Sequence, residues 1–174
     1  MSILKFLGLE EDGQAASTPE TEAIRSIREE LGRLGSGKAR YIVSFAHILG
    51  RVAHADESIS DEELVAIEQI VRNEAQLDDK QAKMVVDLTR NRAALEDTVD
   101  SVVTNEFSRV ANREQKVQLV NCLFSVAAAE GNISKVEEAM IRQISNEIRL
   151  PERDFVAVRY RYLKHLGKGA SAGR

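Results

Sequence analysis

HADESISDEELVAIEQIV, residues 54–71, has an echo in AAEGNISKVEEAMIRQI, residues 128–144. Each copy runs acidic residue, two intervening residues, Ile-Ser, and a Glu three positions after the Ser. Ser-x-x-Glu ahead of an apolar periodic run is the signature of a capping box. The Ser side chain accepts from the amide three residues on, and the Glu carboxylate accepts from the Ser amide. Ser60 with Glu63, and Ser134 with Glu137, are therefore expected to open two helices. Ile59 and Leu64 add a hydrophobic staple to the first copy, whereas the second has Glu138 where the staple's apolar residue would sit.

The agreement extends beyond the caps. At an offset of 74 positions Leu49 meets Leu123, Val52 meets Val126, Asp56 meets Glu130, Ile67 meets Ile141 and Ile70 meets Ile144. With one residue dropped, Leu77 meets Leu150. Apolar, capping and acidic positions coincide, so the chain reads as two related helix–loop–helix halves packed face to face. Two copies of so long a period do not make a solenoid.

The surrounding chain fits an all-α class. Two prolines and ten glycines in 174 residues leave long stretches of good helix formers, and alternating strand patterns are absent. Helical periodicity predicts a bundle of about eight helices. The first starts at Thr18 as N-cap with Pro19 behind it and ends at Gly35–Gly37. The second runs from Lys38 to Ala55, and the third starts at Ser60. The fourth restarts after Leu77–Asp79, the fifth spans Arg92–Val110 and the sixth Arg113–Glu130. The seventh starts at Ser134, and the eighth runs from Pro151 to Leu166. Residues 1–17 are expected to be a flexible lead, 18–166 a single domain, and 167–174 a frayed tail.

Composition narrows the function. A single cysteine, Cys122, excludes an internal disulfide and a Cys-rich zinc site, and is read as a small buried apolar residue. No apolar run is long enough for a bilayer span, and the expected compartment is the cytoplasm. A net charge of −4 disfavours nucleic acid as partner. Charge is uneven: residues 56–68 hold six acids and no base, while residues 149–174 hold seven bases and two acids. The last helix mixes Arg159, Arg161 and Lys164 with Tyr160 and Tyr162, a combination that suits RNA or an anionic membrane as well as ordinary packing. The apolar knot within residues 2–9 could associate peripherally with a membrane. Gly35–Lys38 lacks the spacing of a phosphate-binding loop. His47 and His54 share a helix face, and His54 with Asp56 and a further ligand could hold a transition metal, even for catalysis, although such metals ordinarily need a fuller His/Cys set. Cys122 has no His close in sequence. The chain is expected to be no enzyme and to work through protein partners.

The caps leave Asp56 and Glu130 unexplained, because an anion ending a helix faces the dipole unfavourably. Two roles remain open. Asp56 could join Glu63 and backbone carbonyls in an all-oxygen site for a divalent cation such as Ca²⁺ or Mg²⁺. Alternatively it accepts from loop amides and stiffens the turn. The EF-hand template fails, since its Gly position falls on Asp61 and its bidentate Glu on Ile67.

The doubled Ala-acid-x-x-Ile-Ser-x-x-Glu at a helix junction resembles the TerB family of tellurite-resistance proteins, and the related N-terminal domain of membrane-anchored J-domain co-chaperones. The resemblance covers Lys38 to Leu166. It implies a compact two-half bundle and non-enzymatic duty in a stress or metal-resistance system, with a cation-responsive acidic surface. The acidic positions it implies are Asp56 and Glu63 in the first half, and Glu130 and Glu137 in the second. Glu57 replaces a loop glycine kept as Gly131 in the second copy, and would serve as an extra oxygen ligand or disfavour a left-handed turn. With Lys135 and Val136 opposite Asp61 and Glu62, a cation should prefer the first loop. The alternative is a co-chaperone or adaptor domain that receives a partner helix and has no metal role.

Overall fold

The computed structural model describes residues 7–8, 22–53, 59–91, 95, 100–129 and 131–167. Among them the chain forms eight helices: α1 Glu22–Arg33, α2 Ser36–Ala53, α3 Asp61–Glu74, α4 Asp79–Arg90, α5 Asp100–Val110, α6 Arg113–Ala128, α7 Lys135–Glu147 and α8 Glu152–Arg161. The one β-type pairing among the described residues is an isolated parallel bridge between Ile133 and Leu166. The all-α, single-domain expectation holds.

Two helices form the centre. α2 buries residues on every side, from Ala39 and Tyr41 through Phe45, Ile48 and Leu49 to Val52. α6 does the same with Leu119 through Phe124 and Ala127. A helix apolar around its circumference must sit inside, and these two are the counterparts predicted by the 74-residue offset. Their neighbours reciprocate. α2 packs on α4 as α6 packs on α8, and α3 packs on α6 as α7 packs on α2. The third helix of each half thus leans on the central helix of the other, which interlocks the halves. Each central helix also carries an aromatic cluster. Tyr41 stacks on Phe107 at 5.5 Å with Phe45 beside them, and Tyr162 stacks on Phe124 at 5.3 Å with Phe155 beside them.

The helix ends differ from expectation in four places. α2 starts at Ser36, so Gly37 lies in its first turn and does not serve as a terminator. First-turn amides lack intrahelical partners anyway, which lowers the cost of glycine there. α5 begins at Asp100 and not at Arg92; Leu95 sits in a turn, buried in the core. α6 ends at Ala128, two residues before Glu130. α8 stops at Arg161, and Leu166 leaves the helix to bridge Ile133. The cap expected at Thr18 and Pro19 lies outside the described residues. So does most of segment 1–17, although Leu7 is buried in the core. Beyond Gly167, the expected tail is also outside.

Candidate functional site: two capped elbows and the seam between the halves

Both capping boxes form. Ser60 N–H donates to Glu63 Oε2 at 2.5 Å, and Glu63 N–H donates to Ser60 Oγ at 3.2 Å. Ser134 N–H donates to Glu137 Oε2 at 2.7 Å, and Glu137 N–H donates to Ser134 Oγ at 3.1 Å. Asp78 with Gln81, and Asn112 with Gln115, repeat the device at α4 and α6. Glu63 and Glu137 are therefore held back onto their own helix starts. Asp56, Glu57 and Glu130, like His54, lie outside the described residues.

The two elbows are supported differently. Leu64 is buried and Ile59 packs against the core, as a staple requires. In the second elbow Glu138, at the position corresponding to Leu64, instead pairs with Arg159 of α8 at 2.5 Å. There Ile133 is held by the far end of the chain. Its N–H donates to the His165 carbonyl at 2.7 Å, and the Gly167 N–H donates to the Ile133 carbonyl at 3.3 Å. His165 Nδ1 lies 2.8 Å from the Gly131 carbonyl oxygen. Gly131 has φ +111°, a conformation that needs glycine.

Along the seam, the last residue of each third helix reaches the opposite central helix. Glu147 of α7 accepts from Arg51 of α2 at 2.8 Å, and Glu74 of α3 accepts from the Asn121 amide of α6. Asn121 Oδ1 in turn accepts from the Tyr162 hydroxyl at 2.9 Å, which lies 2.6 Å from Ser125 Oγ. On the α2 side, His47 Nε2 is 3.0 Å from Asp100 Oδ1, and Arg51 Nε is 3.4 Å from Asp100 Oδ2. Partial burial would raise the Glu147 pKa, but hydrogen bonds from Arg51 and Gln143 outweigh it, and the pKa falls below the ordinary carboxylate range.

His47, Arg51, Asp100 and Gln143 border a cleft of about 690 Å³ lined from both halves. Ala46, Leu88, Leu95, Ala139 and Met140 give it an apolar bed, and His47, Arg51, Asp100, Lys135 and Gln143 give it polar edges. Val136, at the start of α7, is 71% exposed beside it. The Thr89 hydroxyl, also lining the cleft, donates to the Val85 carbonyl at 2.8 Å. Cys122 is buried away from solvent, and burial pushes its thiol pKa up, as its reading as a small apolar residue requires. Among the described residues no group of three or more His, Cys, Asp or Glu is placed to hold a metal ion. Nor is any described helix long and apolar enough to cross a membrane.

Sequence reasoning found the elbows but missed the seam. The partners of His47 and Arg51 lie 53 and 96 residues away, so no local spacing could announce them.

Duplicated capped elbows on reciprocally packed central helices define an all-helical, two-half bundle module. The chain matches the family model described as tellurite resistance protein TerB over residues 43–160, more than half of its length, and belongs to the TerB family. No curated protein and no solved structure matches it.

Proposed function

We propose that this chain is a non-enzymatic interaction scaffold in a stress or tellurite-resistance system, and that a partner helix docks in the seam cleft. The observation that carries this reading is the cleft itself. Its apolar bed is drawn from α2, α4 and α7, and its polar rim is fixed by the ion pairs of Arg51. Helix-in-groove recognition needs such a preformed apolar trough with charged edges. Because both halves contribute, a docked helix would sense their relative position.

The acidic first elbow is proposed as a divalent-cation-responsive surface. Asp56, Glu57 and Glu63 would supply hard oxygen ligands, and Glu130 with Glu137 a weaker second set. A cap-held Glu63 carboxylate is compatible with such a set, since its position is already fixed by Ser60. An alternative in which the cation plays no part, an adaptor domain, uses the same cleft.

Affinity capture from tellurite-challenged cells tests the scaffold reading. Wild type should recover a partner that Val136→Glu/Ala139→Glu loses, since both side chains line the cleft and are exposed. Equal recovery by both would remove the cleft from the proposal. Calorimetric titration of the full chain with Ca²⁺, Mg²⁺ and Mn²⁺ tests the cation half. No heat in wild type, or heat unchanged by Asp56→Asn, would leave the adaptor reading.

A further inference from the structure

We propose that the outer face of α8 and the turn after it form a docking surface for an anionic lipid bilayer. The inner face of α8 is fixed by Phe155 and Val158, each 1% exposed. That orientation turns Val156, Tyr160 and, in the following turn, Leu163 outward, at 50%, 73% and 46% exposure. Exposed apolar side chains of this size are few among the described residues, and three of the five fall here.

The two acidic residues of this segment are paired with bases elsewhere. Asp154 is tied to Arg113, Glu152 to Arg142, and Arg159 to Glu138. Arg153, Arg161 and Lys164 are exposed alongside Val156 and Tyr160, as is Glu152, whose charge is offset by Arg142. Among the described residues Arg153 has only a long 3.9 Å contact to Asp154. The surface is thus apolar in its middle and positive at its edges.

Long-range charge points the same way. The chain totals −4 and its last 26 residues carry +5, so the remainder carries −9. A molecule of that polarity presents its C-terminal end to a negative surface. Aromatic and aliphatic tips with snorkelling Arg and Lys match the depth profile of a bilayer interface. The apolar knot of residues 2–9 is a poorer anchor, because Leu7 is already buried in the core. Neither the apolar contacts nor the charges would hold the protein alone, so binding should be reversible and need both.

Vesicle co-sedimentation of the full chain, with phosphatidylcholine alone or mixed with phosphatidylglycerol, tests the proposal. Binding is expected to the mixed vesicles only and to weaken with added salt. Arg161→Gln/Lys164→Gln should weaken it about 25-fold, at about fivefold per basic residue. Tyr160→Ser/Leu163→Ser should also release the protein. The chain has no tryptophan, so Tyr160→Trp gives a single reporter whose emission should shift blue on mixed vesicles, independently of the other variants' folding. No sedimentation with mixed vesicles and no blue shift would overturn the proposal. So would sedimentation that neither double variant alters. The same would follow if these variants instead abolished dimerisation or RNA binding in a protein that ignores vesicles.

Discussion

Glu147 Oε2 lies 2.8 Å from Arg51 Nη1, joining the last residue of α7 to the central helix of the other half. The arginine side chain is 13% exposed and the glutamate side chain 24%, and the same arginine holds Asp100. Arg51→Met would leave two carboxylates without their shared cation. It should lower unfolding free energy by about 1–3 kcal/mol, the scale of hydrogen bonds to charged groups. Urea denaturation measures it. A loss under a few tenths would mean that the halves interlock through apolar packing alone.

Among the described residues the buried Tyr41 hydroxyl has no hydrogen-bond partner, while its ring stacks on Phe107. Tyr41→Phe keeps the ring and removes the stranded group. The variant should be as stable as wild type or more stable by about 1 kcal/mol, since an unsatisfied buried hydroxyl opposes folding. A clear drop in melting temperature would reveal a partner for the oxygen.

Acid should weaken the bundle through groups with depressed pKa values. For Glu106 the largest cause is hydrogen bonding from Arg109, opposed by burial and reinforced by Arg40. For Asp154 it is hydrogen bonding from Arg113. A carboxylate whose folded pKa lies below its unfolded one contributes stability above the unfolded value, and this is lost as pH falls through the folded value. Stability should therefore be level at neutral pH and decline below the ordinary glutamate value of 4.5. Glu106→Gln should flatten part of that decline in urea midpoints recorded from pH 7 to pH 3.

Gln76 and Arg149 occupy equivalent positions, one residue before Leu77 and Leu150, and both have positive φ, 51° and 59°. At Arg149 the chain forms a Schellman turn: Arg149 N–H donates to Asn146 O, and Leu150 N–H to Ser145 O, each at 3.0 Å. Gln76→Gly should stabilise the protein by roughly 0.5–1 kcal/mol, because glycine adopts this region without a Cβ penalty. Gln76→Val should destabilise it. Thermal melts of the two variants moving in the same direction would contradict this.

The elbows were legible because capping chemistry is local: Ser60 and Glu63, or Ser134 and Glu137, sit three residues apart and declare themselves. The duplicated core was legible too, since Leu49 and Leu123 keep their register across the repeat. The left-handed turns were not, because neither Gln76 nor Arg149 is the glycine that usually marks such a position. The end of α8 was misjudged because Leu166 keeps helical spacing with Tyr162, yet pairing with Ile133 draws it out of the helix. The seam was invisible for a related reason. Ion pairs such as Arg51 with Glu147 depend on how the halves meet, which periodicity does not encode.

The parallel bridge between Ile133 and Leu166 makes the second elbow depend on residues made more than thirty positions later. During synthesis the first capping box can close as soon as its helix emerges, while the second elbow waits for Leu166. Ending the chain after Tyr162 should abolish hydrogen-exchange protection at the Ile133 amide. Two copies born equal are thereby assigned different clocks, and a change at His165 or Leu166 would be felt at an elbow more than thirty residues upstream.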